Sequence, residues 1–529
     1  MPGSRGLFVA FLILLVWLPI PLGSNRPWSW ALMEVWIYLI AAVWLFKYAR
    51  GRVTLTEPFR QARSALILLT LWLGYGLLQM IPLPGSVVAV ISPNTAALYQ
   101  QAQLGPKLAN YDLVPNPVSR PLPSFPSSSA TGDRNATDAD GQSDDTGQQA
   151  PVPGLAKADD PNPAAVFDIS GIPPDIFSAA MANSYSARLT LDLSASLTAW
   201  LKSLAYVLLF MLTLLLVDSR QRLKTLAYVL VLSGLGQAVY GSLALAAAGS
   251  GDASGSFMNR NHFAAYLVLC LSVGIGLLIA SMGQGTNAGS WRQRLLRIGA
   301  VILSAKAPLR IFLAIMVIAL VLTHSRMGNS SFFASLLITG TLALILFKDT
   351  PRPVVLLIAS LIVIDIIIIG SWVGIEKVKE RLSQTTLAQE SRDELDIYSF
   401  KLWKDYPLFG AGAGSYYSVF PRYREADTGH GFYDHALNDY LEFLSEYGIL
   451  GLLFPAGIVI LALRNAILAQ LRRRSQFARG IGFAATMAIT AMLIHATVEF
   501  NLQIPAYAAT FMVILAMASL SRYLKSERA

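Results

Sequence analysis

FYDHALNDYLEFLSEYGILGLLFP, residues 432–455, changes character at its middle. The first half carries Asp434, His435, Asn438, Asp439, Glu442 and Glu446, and from Gly448 onward the run is apolar. An apolar run that continues a polar one is the entry to a membrane span. The polar half is then either a solvated helix ahead of the bilayer or one wall of a site at its surface. The rest of the chain supports the membrane reading. Of 529 residues, 54% are hydrophobic and 14% charged, and the mean hydropathy is +0.51. That is too apolar for a soluble domain of this length.

Windows of roughly 17 to 25 apolar residues suffice to cross a bilayer. They fall at 6–23, 29–46, 65–83, 197–217, 224–248, 262–282, 309–325, 330–347, 354–374, 448–463, 480–499 and 504–521, twelve in all. The run after Arg5 is read as a retained first span, because no small-residue cleavage site follows it. Loop charge sets the orientation. With the N-terminus inside, Lys47, Arg50 and Arg52, then Arg220, Arg222 and Lys224, then Arg292, Arg294 and Arg297 fall on the cytoplasmic side. So do Lys348 and Arg352, then Arg472, Arg473, Arg474 and Arg479, then the C-terminal Arg522, Lys525 and Arg528. The net charge of +9 comes from these loops and points to no nucleic-acid partner. The single cysteine, Cys270, lies in an apolar run and suggests neither an intrachain disulfide nor redox chemistry.

The chain therefore reads as an all-α polytopic membrane protein of about twelve transmembrane helices. Its parts are three spans in 1–83, an external segment 84–196, a transmembrane core 197–374, a large external loop or cap 375–447, and C-terminal spans in 448–529. Within 84–196 the stretch of about 114–160 is rich in Pro, Ser, Gly and Asp, cannot bury enough surface to fold, and is read as a disordered insertion. The cap differs: IEKVKERLSQTTLAQ and ELDIYSFKLWKDYPL are amphipathic, and a helical cap against the outer membrane surface is expected. The GAGAGSYY run at 410–417 follows no strand and lacks a GK[ST] ending, so it is a tight turn rather than a phosphate loop. HATVE, residues 495–499, would set His495 and Glu499 one helical turn apart. Two such ligands make a weak metal site, and a hydrogen bond between helices is the simpler reading.

Polar clusters stand at the outer edges of the spans. GSFMNRNHFAAYL (255–267) carries Arg260 and His262, and LVLTHSRMGNSSFF (320–333) carries His324, Ser325 and Arg326. Both arginines lie on the side where the positive-inside rule disfavours them, and an arginine near hydrocarbon is paired or functional. The guanidinium fork suits phosphate oxygens. Two forks at one depth point to a single anionic ligand, for which a lipid diphosphate fits.

GSFMNRNHFAAYL, LTHSRMGNSSFF, WKDYPLFGAGAGSYYSVFPRYR, HALNDYLEFLSEYGILGL and HATVEFNLQIPAYA occur in this order on these spans. Together, over roughly 195–515, they resemble the O-antigen ligase and polymerase family of bacterial envelopes. The resemblance implies a GT-C-like inner-membrane glycosyltransferase with no cofactor and no metal, its site facing the periplasm. It would move a glycan from undecaprenyl diphosphate to a lipid or glycan acceptor, either lipid A–core (ligase) or another lipid-linked repeat (polymerase). It gives Arg260 and Arg326 the diphosphate and places Asn259, His262, Ser325, Arg422, Asn438, Asp439 and Glu499 around the substrates. The family's His-Asn pair aligns with Leu437–Asn438, so its histidine is missing here. His435 stands two residues earlier. On a helix the two positions point about 200° apart, but a turned chain would let His435 reach the same cavity as the catalytic base. The inner-membrane lipids are then the remaining partner.

A secondary transporter or lipid flippase is the rival class. It calls for ionisable residues at mid-membrane and symmetric broken helices. In the sequence, Asp365 reads as the one acid deep in a span and the informative polar residues lie at the outer edge, which favours an enzyme.

Overall fold

The computed structural model describes residues 4–108, 186–281, 307–346, 387–425 and 433–525. The insertion at about 114–160, the window 354–374 with Asp365, and nearly all of IEKVKERLSQTTLAQ lie outside the described residues. Contacts divide the chain into two units, Met1–Ala96 with Ala187–Ala529, and Ala97–Ser186. Of the second unit, the described part is the end of the helix Pro93–Leu108, together with Ser186.

The first unit is a helical bundle. Its main helices are α1 (Arg5–Trp17), α2 (Pro27–Ala49), α3 (Arg63–Met80), α4 (Leu193–Leu216), α5 (Arg220–Ala248), α6 (Arg260–Ser281), α7 (Ala307–Leu322), α8 (Arg326–Leu346), α9 (Leu387–Asp405), α10 (Asp439–Arg472), α11 (Gln476–His495) and α12 (Pro505–Tyr523). Among the described residues nine are long and apolar enough to cross a bilayer, and α1 and α7 are apolar but shorter. These eleven coincide with eleven of the expected windows, so the chain is a multi-pass membrane protein.

Local chemistry sets the ends. Asp192 caps α4 by accepting from Ala195 N at 2.9 Å, Ser219 caps α5, and Gly249 ends α5 in the left-handed conformation. In the interior α6 is buried from His262 to Ile279. It meets α11 where Gly276 and Gly480 face each other. A Cβ on either would stand 2.4 Å from the other's carbonyl oxygen, so small residues let the two backbones touch. Around this pair, α4 packs on α2, α3 and α12, and α10 packs on α3, α11 and α12.

One boundary differs from the sequence reading, which opened a span at 448. Helix α10 begins at Asp439 and is broken at Gly448, with φ 64° and ψ −178°. A Cβ there would lie 2.3 Å from the Leu408 carbonyl oxygen. Only glycine lets the 407–409 turn dock on the break, where Ile449 N and Leu450 N donate to the carbonyls of Pro407 and Leu408 at 2.9 and 3.2 Å. From Asp439 onward the polar and apolar parts of the opening stretch are thus two helical pieces joined at one glycine.

The bundle has two chemically distinct ends. At one, Arg222 donates to Ser4 Oγ and to the Leu216 carbonyl, and Arg473 and Arg522 close on the Leu524 carbonyl and Asn465. The other gathers the starts of α6, α8, α10 and α12 with the ends of α5, α7 and α11. Helix α9 packs on α10 near this second end, where Asn438 Nδ2 donates to Asp396 at 3.4 Å. Cysteine replacing the exposed Lys404 of α9 is expected to react with a membrane-impermeant maleimide on intact spheroplasts. Cys270, fully buried, gives little background. Labelling only after permeabilisation would reverse the orientation.

Candidate functional site

Residues 433–438 are not helical. Leu437 sits at φ 53°, and Asn438 is the N-cap of α10, its Oδ1 accepting from Tyr440 N and Leu441 N at 3.1 and 3.3 Å. The left-handed backbone at Leu437 breaks any helical course just before the cap, so positions 435 and 437 are not related by helical geometry. His435 swings inward. Its ring stacks on Phe500 at 4.4 Å, and its Nδ1 lies 2.7 Å from Glu442 Oε1. The other Glu442 oxygen accepts from Ala436 N at 3.0 Å. Glu442 is buried, whereas the His435 side chain keeps 24% of its surface. Burial alone would lower the imidazole pKa. The charge of Glu442 and its hydrogen bond, with Asp434 and Glu446 behind them, outweigh burial and hold the pKa above its usual value.

His435 opens onto a cavity of about 760 Å³, whose walls include Arg26, Trp30, Trp72, Lys202, Glu442 and Glu446. Leu437 is not among the lining residues. Glu446, one turn after Glu442, is positioned by the glycine-rich turn. Gly412 N donates to its backbone carbonyl at 3.0 Å and Tyr416 N to its carboxylate at 3.2 Å. Gly410, Gly412 and Gly414 all have positive φ, so the run is the tight turn expected from its sequence.

Behind Phe500 lies a second polar group. Glu499, buried, accepts from Asn261 Nδ2 at 2.5 Å, and its other oxygen is 3.6 Å from His262 Nε2. His262 is buried edge-on to Phe500 at 4.6 Å, so one phenyl ring separates the two histidines. The one-helix reading of His495 and Glu499 is corrected: α11 stops at His495, and Glu499 lies beyond it, turned toward α6. Asp439 is also buried. Its carboxylate accepts from Leu502 N at 3.2 Å and its own N–H donates to the Ala496 carbonyl at 3.0 Å, which ties the start of α10 to the α11–α12 turn.

Arg260 and Arg326 are the first residues of α6 and α8, at the same end of the bundle. Asn259 and Ser325 cap these helices, accepting from Asn261 N at 2.8 Å and Gly328 N at 3.2 Å. Arg260 pairs with Asp252, whose other oxygen is 2.8 Å from His324 Nδ1. Asp252 therefore joins the two arginine motifs. Burial would raise its pKa, but the hydrogen bonds and charges of His324 and Arg260 hold it below the usual carboxylate range. Both arginines are exposed and neither lines the cavity, although Met258, two residues before Arg260, does. Arg422 is exposed in the Phe420–Arg422 turn and is not brought to this group.

Three charged residues escaped the sequence reading. Asp252 lies in a polar loop and carries no pattern. Lys202 and Glu34 did leave a signal, as single charges inside LTAWLKSLAYVLLF and ALMEVWIYLI. Glu34 is buried in α2, so Asp365 is not the only acid within a span.

Residues 311–456 match the family described as O-antigen ligase, a stretch that includes Arg326, His435 and Glu442. No curated protein matches the chain.

Proposed function

We propose that this chain, whose residues 311–456 belong to the O-antigen ligase family of membrane glycosyltransferases, moves a glycan from undecaprenyl diphosphate to an acceptor hydroxyl at the outer face of the bacterial inner membrane. Lipid A–core is the acceptor we favour. A repeat-unit polymerase is the alternative within the same chemistry. The observation that carries the reading is the His435 imidazole, held by Glu442 at 2.7 Å and open to the cavity.

With Nδ1–H donated to Glu442, Nε2 is the basic nitrogen, the arrangement in which a carboxylate orients a histidine base. The acceptor hydroxyl attacks the anomeric carbon from the face opposite the diphosphate and its proton passes to Nε2. The anomeric C–O bond breaks with its electron pair leaving on the diphosphate, and the anomeric centre inverts. Arg260 and Arg326 receive that developing charge. The outer-face assignment is supported by the basic residues gathered at the opposite end of the bundle.

A base must be neutral to act. A His435 pKa above the ordinary imidazole value of about 6.5 therefore puts the acid limb of the rate profile above that value, with activity present at higher pH and lost as pH falls. In Glu442→Gln the raising charge is gone, so the inflection should move to lower pH. Orientation is also weakened, and the plateau should drop several-fold. The measurement is transfer of lipid-linked glycan by purified enzyme across pH 5 to 9. An inflection that stays in place would remove this pair from the mechanism. The glycan profile of a strain lacking the protein separates the two acceptors. Free lipid A–core with lipid-linked polymer accumulating marks a ligase, and a single repeat on the core marks a polymerase.

A further inference from the structure

The cavity is polarised in a way that the proposed chemistry at His435 does not use. From α10 the lining includes Glu442 and Glu446 beside His435, and from α2 and α4 it includes Arg26, Trp30 and Lys202. The Lys202 ammonium sits 3.7 Å above the Trp30 ring. A lysine inside an apolar helix is costly and is ordinarily closed off by a carboxylate. Among the described residues Lys202 has no such ion pair. Glu34 and Glu446 reach it only through their longer-range charge. A cation held by a tryptophan face and left open to a water-accessible cavity is a binding group awaiting an anion.

The same cavity carries broad aromatic surfaces. Trp72 and Tyr447 lie 4.4 Å apart and Phe443 continues the face. Flat aromatic faces against charged and hydroxyl-bearing groups fit a saccharide, whose C–H faces stack while its polar edges hydrogen-bond.

We infer that the Trp30–Lys202 wall binds the anionic group, phosphate or carboxylate, of an acidic saccharide acceptor, and that this contact turns the acceptor's hydroxyl toward His435. The assignment rests on the glycosyltransferase reading above. Its logic is electrostatic. An anion entering the cavity is repelled by the Glu442 carboxylate beside His435 and attracted to Lys202 and Arg26, so a charged acceptor has one favoured orientation and a neutral one has none. Arg260 and Arg326, outside the cavity lining, are left for the donor diphosphate. The two anions of the reaction then have separate cationic sites.

The test is a binding comparison on the purified full-length protein in nanodiscs. The probes are a phosphorylated core oligosaccharide, the same oligosaccharide after phosphatase treatment, and undecaprenyl diphosphate. Wild type is expected to prefer the phosphorylated form by roughly tenfold or more, the range of one charge-assisted hydrogen bond. Lys202→Met should reduce that preference to about one, and Lys202→Arg, which keeps the charge, should retain most of it. Equal weakening of both oligosaccharides in Lys202→Met with none in Lys202→Arg would make the residue a packing element and overturn the inference. So would a loss confined to undecaprenyl diphosphate, which would hand the wall to the donor. If Lys202→Met does not fold, Lys202→Arg together with the wild-type preference still decides: no wild-type preference sinks the proposal. Because binding is read without turnover, a wild-type protein that binds the acidic probe yet transfers nothing would count against the transferase reading and not against this site.

Discussion

His435→Ala should abolish glycan transfer, with a rate loss of about 10²- to 10⁴-fold, the usual contribution of a positioned general base. The expectation rests on placement. A base has to stand within hydrogen-bond reach of the hydroxyl it deprotonates, and His435 is the histidine that opens into the cavity while its far nitrogen is held by Glu442. Position 437, to which the resemblance would assign the family's histidine, has a left-handed backbone and does not line the cavity. Leu437→Ala should therefore cost mainly stability, and His435→Ala combined with Leu437→His should recover little. The assay is transfer from lipid-linked donor to acceptor by purified variants, normalised to folded protein. Full activity in His435→Ala would defeat the assignment and pass the role to a carboxylate of the same wall. Recovery in the double variant would show that the turn at 437 rearranges when substrate binds.

The second large effect concerns the arginines. Arg260→Lys and Arg326→Lys should each slow transfer roughly tenfold or more while the protein stays folded, because lysine keeps the charge and loses the bidentate fork. The two should not behave alike in every respect. Arg260 is held by Asp252, which also holds His324, so its replacement disturbs the link between the α6 and α8 motifs. Arg326 is exposed at the first turn of α8, and its replacement should leave that link intact. If both act on the diphosphate, the losses should appear with any acceptor, and the double variant should lose less than the product of the single effects, since the residues serve one ligand. Wild-type rates in both single variants would take them out of the donor site.

Much of this protein was legible before any coordinates. Apolar window length located eleven of the helices, because a bilayer imposes one length and excludes irregular backbone from its core. Asn438 and Ser325 read as polar residues at the mouths of spans, and both turn out to be caps, since Asn and Ser side chains satisfy the orphan N–H groups of a helix start. The glycine-rich run was recognisable as a turn because positive φ is costly for most other residues.

Tertiary structure decided the rest. Where His435 points relative to position 437 depended on the backbone of Leu437, and nothing in a leucine announces a left-handed φ. The partnership of Glu499 with Asn261 and His262 depended on where α11 stops. Asp252 became a link between two motifs only because the α5–α6 loop folds back to the end of α7, where Ala253 N donates to the Leu322 carbonyl at 3.0 Å. Lys202 and Glu34 could be seen in the sequence as charges inside apolar runs. That one faces a cavity and the other is buried in α2 followed from helix packing, which sets the direction of each side chain and is specified by contacts between residues far apart in the chain.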